Sequence, residues 1–549
     1  MTASDDFYAA RDARTLAYGI TPGVLTRPVG IVVGTDAAGN PAAQATVLAL
    51  VNLLARVHRS LSLWLPDARL VAPAMVQATS LAEACAATAR AIDPYINVAL
   101  AGPGTRSRTG AGVPTIAIGT EVPPGCTIYL GAERFLAVLA NRPVPVSADP
   151  LTVLGGGLAA CLAAGELMRA LYGHHARARV ASLWNFGEGG AAEAGPELGM
   201  SPIDVGDIAI VGAGAVGSAF AYWARQFGHA GDWAVVDHDQ AELHNINRSM
   251  GITAADAGWS AGRTGGKPAA KAELAAGLLG AEPYDGWYHQ WVAQPGRRPD
   301  LILPLANEFD VRRVIGQRGE PVLIHATTSP NWTAELHRHL AGRDGCIDCR
   351  LPQPLSGSLR CATGPVPELA GAPPANGGEP GRRPDAALPF LSAAAGLLLL
   401  TALIQLEHDV FAAHRVQPLE AAVRAWAPGM EPLHTPMRGK MPARTCSGDP
   451  ADPEPRSALG APRLTPPEPP ALLRSGRRGR GPREPPGSTF WHWKSGHRPE
   501  HCCTGSRATG APTPCAPPAD VRTRGLLPSG RRLLRARVGG PGGGRPQTG

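Results

Sequence analysis

Apolar positions along this chain follow two periods that recur in a fixed order. Short apolar runs, as expected of buried strands, alternate with longer segments in which apolar residues return every three to four positions, as expected of helices. Ile31-Val32-Val33-Gly34 predicts a first strand, followed by a helix from Ala42 to Ala55 and a strand at Leu61 to Leu65. The plan then repeats: a strand at Ile208 to Gly212, a helix from Val216 to Phe227 and a strand at Trp233 to Val236. Each half closes on a long apolar helix, Leu154 to Tyr172 and Leu388 to Leu406. Parallel strands need crossover connections, and the crossover helices cover the sheet, so this alternation predicts an α/β fold of two Rossmann-like doubly wound units. The first is expected over residues 1–190 and the second over 200–440, with the Gly/Ala/Glu-rich stretch Gly187 to Gly199 as linker.

The run Ala386 to Leu406 comes close to the length and apolarity of a bilayer span. It contains Pro389, Ser392, Gly396, Thr401 and Gln405 and takes the place of the closing helix of the repeat, so we expect a buried core helix and no membrane contact. From about Met441 the periodicity stops and Pro, Gly, Arg and Ser dominate, so residues 441–549 are expected to be a disordered tail. The break is abrupt near Cys446 and resembles a GC-rich reading frame translated out of register, a frameshift hypothesis that the nucleotide sequence decides.

Composition changes this picture little. The 549 residues, 44% hydrophobic, are enough for sizeable cores. The net charge of +7 comes from arginines crowded into the tail, so no nucleic-acid partner is expected. Met1 to Arg14 holds acidic residues and no apolar core of signal-peptide length, and the ten cysteines form no evident disulfide framework, so a cytoplasmic location is expected.

The chemistry is concentrated in the second half. Gly212-Ala213-Gly214-Ala215-Val216-Gly217 follows an apolar strand and opens a helix. In that context the glycines let backbone approach a phosphate, and the helix N-terminus offers unpaired N–H groups. Asp237, at the end of the next strand, is placed to accept ribose hydroxyls. The first half reads Gly34-Thr35-Asp36-Ala37-Ala38-Gly39 at the matching turn and has lost the phosphate-cradling pattern, as a degenerate copy would.

The segment Asp237-His238-Asp239-Gln240-Ala241-Glu242-Leu243-His244-Asn245-Ile246-Asn247-Arg248 resembles the D-x-D…N-x-N-R signature of the ThiF/MoeB superfamily, which includes the ubiquitin-activating enzymes. The resemblance covers the second half, roughly Ile203 to Cys446, and the first half only as a faded repeat. It implies an adenylyltransferase that binds ATP around Gly212, Gly214, Gly217, Asp237, Asp239, Asn245, Asn247, Lys267 and Asn307. Arg248 and Lys271 would act on the phosphates; Lys271 is favoured over Lys267 because Ala-Glu follows it. The partner implied is a ubiquitin-like β-grasp protein with a C-terminal Gly, with the first half as an intrachain pseudo-dimer partner and a homodimer open. Mg²⁺ is implied, yet the family's metal-holding Asp corresponds here to Asn307 in Leu305-Ala306-Asn307-Glu308, so Glu308 or Asp239 would have to substitute.

Cys346-Ile347-Asp348-Cys349 resembles the first half of the family's structural Zn²⁺ site, with Cys446 as third ligand; Asp449 stands where the fourth Cys would be, and His339 is an alternative. Cys361 lies in the crossover region where family members often place a reactive cysteine. Tyr8-Ala9-Ala10-Arg11 resembles the family's Y-x-R element, which makes Arg11 and Arg14 candidates to reach into an ATP site. Two other classes stay open: an NAD(P)-dependent oxidoreductase, which gives no reason for Asn245, Arg248 or the Cys pair, and an inactive nucleotide-binding remnant.

Overall fold

A computed structural model describes residues 2–17, 20–105, 112–260, 263–318, 322–328, 333–340, 347 and 388–408. The first sheet comprises β1 (Val29–Val33), β2 (Ser60–Trp64), β3 (Asn97–Ala101), β4 (Thr115–Ile118), β5 (Ile128–Glu133), β6 (Leu136–Ala140) and β7 (Arg179–Ser182), in the order β3-β2-β1-β4-β5-β6-β7. The first five strands pair in parallel, and β6 and β7 add antiparallel. The second half contributes β8 (Ile208–Val211), β9 (Trp233–Asp237), a small hairpin of β10 (Trp259–Ser260) and β11 (Arg263–Thr264), then β12 (Glu282–Asp285), β13 (Leu301–Pro304), β14 (Val322–Thr328) and β15 (Ala334–Leu340). Its sheet runs β12-β9-β8-β13-β14-β15, with β15 alone antiparallel.

The two orders match strand for strand through six positions, so the repeat expected from the periodicity is a repeat of topology. The fold is α/β with two Rossmann-like units. The central strands β1 and β8 are buried along their whole length, as strands covered by helices on both faces must be, and both read as unbroken apolar or small-residue runs.

The closing helices Thr152–Leu171 and Pro389–Glu407 are each long and apolar enough to cross a membrane, but 89% and 94% of the most apolar 18-residue stretch of each is buried within the protein. They meet at glycines. A Cβ on Gly157 would lie 2.9 Å from the Trp223 ring and 3.2 Å from Leu397, and one on Gly396 would lie 2.6 Å from the backbone nitrogen of Phe220. The Trp223 indole N–H donates to the Ala393 carbonyl at 3.0 Å. One apolar core therefore runs through both halves, and the polar residues that interrupt the second helix, Ser392, Thr401 and Gln405, are buried in it.

Gly187 to Gly199 is not a free linker. The Ser182 hydroxyl donates to the Glu193 carbonyl (2.6 Å), the Phe135 amide to Ala194 (3.2 Å) and the Arg134 guanidinium to Gly195 (3.1 Å), which straps the stretch onto the first sheet.

At the end of β1 the first half closes its own crevice. Gly34 leads into a four-residue helix, Thr35–Ala38, and the Asp36 carboxylate accepts the Thr120 amide and hydroxyl, both at 2.7 Å, and the Glu121 amide at 3.1 Å. In a doubly wound sheet this is the switch point where ligand phosphates bind, and here an internal carboxylate uses the amides facing it.

Candidate nucleotide site

In the second half the equivalent turn is open. Gly212 has φ +105°, a left-handed value suited to glycine, and a Cβ there would lie 2.6 Å from the Ala306 nitrogen in the loop after β13. A Cβ on Gly217 would lie 2.2 Å from the Gly212 carbonyl oxygen, so this glycine lets the helix pack against the turn. Gly214 differs from both. It caps the helix Ala215–Ala224, and an added Cβ would meet nothing within 4 Å, leaving space above the first helical N–H groups. The three glycines thus differ in what they allow: a tight bend at Gly212, open space at Gly214 and close packing at Gly217.

Asp237 ends β9 beside this turn and is fixed by backbone: one carboxylate oxygen accepts the Ala213 amide at 2.5 Å and the other the Asp239 amide at 2.8 Å. Burial pushes its carboxyl up, opposed by the charge of Lys271 and by those two amides. The Lys271 ammonium donates to Asp239 at 2.7 Å, and its side chain is 8% exposed. Lys271 is also the first residue of the helix Lys271–Leu279, and its own amide donates to the Asp239 carbonyl (2.9 Å), so the turn after β9 and this helix start are tied twice. Lys267 is exposed on the preceding turn. Of the two lysines that the sequence left in competition, Lys271 therefore joins Asp237 and Asp239.

Among the described residues, Asp237, His238 and Asp239 form the group whose ligand atoms could converge on a metal ion, all within 4.8 Å of one another. The His238 ring stacks on Trp287 with centroids 3.6 Å apart, and Trp287, just past the end of β12, is 37% exposed. Neither residue stands out in the sequence. A Trp after Asp285-Gly286 at a strand end carries no local signal, because the pairing of β12 with β9 is what sets it beside His238.

The loop after β9 carries the remaining motif residues. Asn245 is buried, and its side-chain oxygen accepts the Glu242 amide at 2.9 Å, closing a cap on the short helix Leu243–Asn245. The Arg248 guanidinium donates to the His244 carbonyl (3.0 Å) and the Asn247 side-chain oxygen (3.4 Å). Asn247, fully buried, donates to the Thr15 hydroxyl at 3.2 Å, so the N-terminal helix Ala3–Leu16 of the first half reaches this loop. Burial pushes the His244 imidazole below its ordinary range, and the charges of Arg248 and Arg14 push in the same direction.

Arg11 does not join this group. It is fully buried in the first half, with Nε on Asp12 at 2.6 Å, one terminal nitrogen on Asp93 at 2.6 Å, and the carbonyls of Ala55 and Val57 at 3.3 and 3.4 Å. These internal ion pairs commit it to holding the helix Ala3–Leu16 in place, and from that helix the charge acting on the loop is that of Arg14. Asn307 is exposed, and its side-chain oxygen accepts from Arg312 at 3.2 Å. Cys346, Cys349, Cys361 and Cys446 lie outside the described residues, while the alternative ligand His339 is buried with its ring stacked on His325 at 5.0 Å.

No family model matches the chain. It is similar to the uncharacterized protein y4jF of Sinorhizobium fredii (strain NBRC 101917 / NGR234), with 28% identity over 287 residues, 50% of this chain and 50% of that protein. The chain thus spans half the length of the curated relative it matches. Among solved structures it is similar to PaaA, at 13% identity over 39% of this chain and 58% of that chain with a TM-score of 0.24. It is also similar to MccB of E. coli, at 12% identity over 51% and 87% with a TM-score of 0.27. Likenesses of this size carry nothing about activity.

Proposed function

We propose that the second half of this chain binds ATP and adenylates a carboxylate, the C-terminal carboxylate of a small ubiquitin-like β-grasp protein ending in Gly. The observation that carries the reading is the pairing of an open Gly214 turn and Asp237 with a buried lysine, Lys271, held on Asp239. A nicotinamide dehydrogenase needs the turn and the acid for its dinucleotide but has no use for that cation; a triphosphate does.

In this reading the N–H groups at the start of the helix Ala215–Ala224 receive a phosphate, and Asp237 accepts the ribose hydroxyls. A substrate carboxylate oxygen attacks the α-phosphorus, the bond from that phosphorus to the bridging oxygen breaks, and pyrophosphate leaves. Lys271 and Arg248 are fixed cations placed to offset the charge that accumulates on the departing group. Mg²⁺ would be held by Asp239, with Asp237 committed to the ribose, since Asn307 offers only an amide oxygen already accepting from Arg312. Arg14, whose charge acts on His244 in the loop after β9, is the candidate for the role expected of Arg11. Zn²⁺ at Cys346, Cys349 and Cys446, acyl transfer to Cys361 and a cytoplasmic location remain part of the proposal on sequence grounds alone.

ATP–pyrophosphate exchange tests it. The full chain is assayed with a panel of β-grasp proteins ending in Gly and with the same proteins lacking that residue. Exchange with an intact panel member, absent with the truncated form and in Arg248→Ala, is the expected result. ATP binding without exchange across the panel would instead support a nucleotide-binding remnant, the reading favoured by the missing carboxylate at position 307.

A further inference from the structure

Arg56 follows the last residue of the helix Pro41–Ala55 in the first half, and its side chain is fully buried, with no carboxylate among its hydrogen-bond partners. Its guanidinium crosses to the second half. One terminal nitrogen donates to the Ile246 carbonyl at 2.5 Å and the Ile252 carbonyl at 3.0 Å, and the other donates to the Met250 carbonyl at 2.8 Å. Nε donates to the Asn52 side-chain oxygen at 2.8 Å, and the Asn52 amide donates in turn to the Met250 carbonyl at 3.2 Å. Three carbonyls within seven residues thus converge on one cation, and those residues bracket Asn247 and Arg248. From the other end, the Gly251 amide donates to the Ser218 hydroxyl in the helix that opens at the glycine turn, at 2.8 Å.

Burying a charged guanidinium with no carboxylate hydrogen-bonded to it is costly: desolvation lowers its pKa to about 9, and the charges of Tyr222 and Asp256 offset this only in part. A leucine at the end of an apolar helix would avoid that cost, so what the arginine supplies is the shape of the loop it grips.

We propose that Arg56, with Asn52, is a positioning residue that sets Arg248 toward the nucleotide phosphates from the other half of the chain. This deepens the adenylation reading and rests on it. The first half, whose own crevice is closed by Asp36, serves as a built-in part of the active site. Arg248 takes its backbone course from the loop that Arg56 holds, and a phosphate-binding cation displaced by an ångström loses much of its effect.

The test uses the full chain and three variants, Arg56→Gln, Arg56→Lys and Asn52→Ala, each checked for folding by circular dichroism and thermal unfolding. Binding of ATP and AMP is measured by calorimetry, and amide hydrogen exchange of residues 246–252 by mass spectrometry. Arg56→Gln is expected to weaken ATP about tenfold or more while leaving AMP within about threefold, because Arg248 serves the outer phosphates. Its loop amides should exchange faster, with Arg56→Lys and Asn52→Ala in between. Equal loss of ATP and AMP, or unchanged exchange in a folded variant, overturns the proposal. If the wild-type chain binds neither nucleotide the adenylation reading falls, and the exchange data then decide alone whether Arg56 orders the loop.

Discussion

Two titratable residues link burial to measurable pH effects. Burial pushes the Asp237 carboxyl above the ordinary carboxylate range, and Lys271 is the chief charge holding it down. An acid with a raised pKa takes up its proton at a higher pH than an exposed Asp, so a role as ribose acceptor is complete above that pKa and lost as pH falls through it. ATP affinity, followed by calorimetry from about pH 8 to about pH 5, is expected to decline on acidification, and Lys271→Met is expected to move the decline to higher pH. Affinity independent of pH in both proteins would remove Asp237 from the site. His58 shows the opposite sign of shift. It is buried, and desolvation with the nearby Arg11 charge pushes its imidazole down to about 3. Below its ordinary pKa the unfolded chain binds a proton that the folded chain refuses. Stability is therefore fully present above about pH 6.5 and falls by about 1.4 kcal/mol per pH unit as pH drops toward the folded value. Thermal unfolding at stepped pH should show this slope, and His58→Gln should flatten it.

At this scale the sequence was legible where chemistry is local. The three glycines, Asp237 and Lys271 lie in short motifs; the structure ties Asp237 to the glycine turn through the Ala213 amide and pairs Lys271 with Asp239 in the following loop. Arg56 was not legible, because an arginine ending a helix reads as a surface charge that favours the helix dipole, and its true partners lie about 190 residues away. Arg11 was misleading for a related reason: the Y-x-R element resembles a reaching arm, but Asp93 lies close enough in space to capture it.

Among the elements, the two closing helices show where composition misleads and topology corrects. Pro389–Glu407 has the apolarity of a membrane span, but its position in the repeat predicts a core helix, and the structure buries it against Ala215–Ala224 and Thr152–Leu171. Gly396 allows that approach. Since a methyl group there would press on the backbone of Ala219 and Phe220, which cannot move aside as a side chain would, Gly396→Ala is expected to destabilise by about 1–3 kcal/mol despite its better helix propensity. Chemical denaturation measures this directly; a stabilised Gly396→Ala would mean the helices are not in such close contact. The strap from Gly187 to Gly199 escaped sequence reasoning because Gly and Ala-rich composition signals flexibility, whereas carbonyls taken up by Ser182 and Arg134 fix it.

For the molecule as a whole, a shared strand order joins two units whose crevices have diverged. In the first, Asp36 occupies the amides that face the switch point; in the second, the turn at Gly214 is open and flanked by Asp237 and Lys271. The first half contributes instead through its helices, with Thr15 on Asn247 and Arg56 on the loop carbonyls. This division of labour predicts one nucleotide per chain. Calorimetric titration of the full chain with ATP and separately with NAD⁺ and NADP⁺, repeated on Arg248→Ala, tests that claim most directly. The account predicts binding of ATP at one site per chain, weakened at least tenfold by the substitution, with no comparable binding of the dinucleotides. Selective dinucleotide binding indifferent to Arg248, or two equivalent ATP sites, would contradict it.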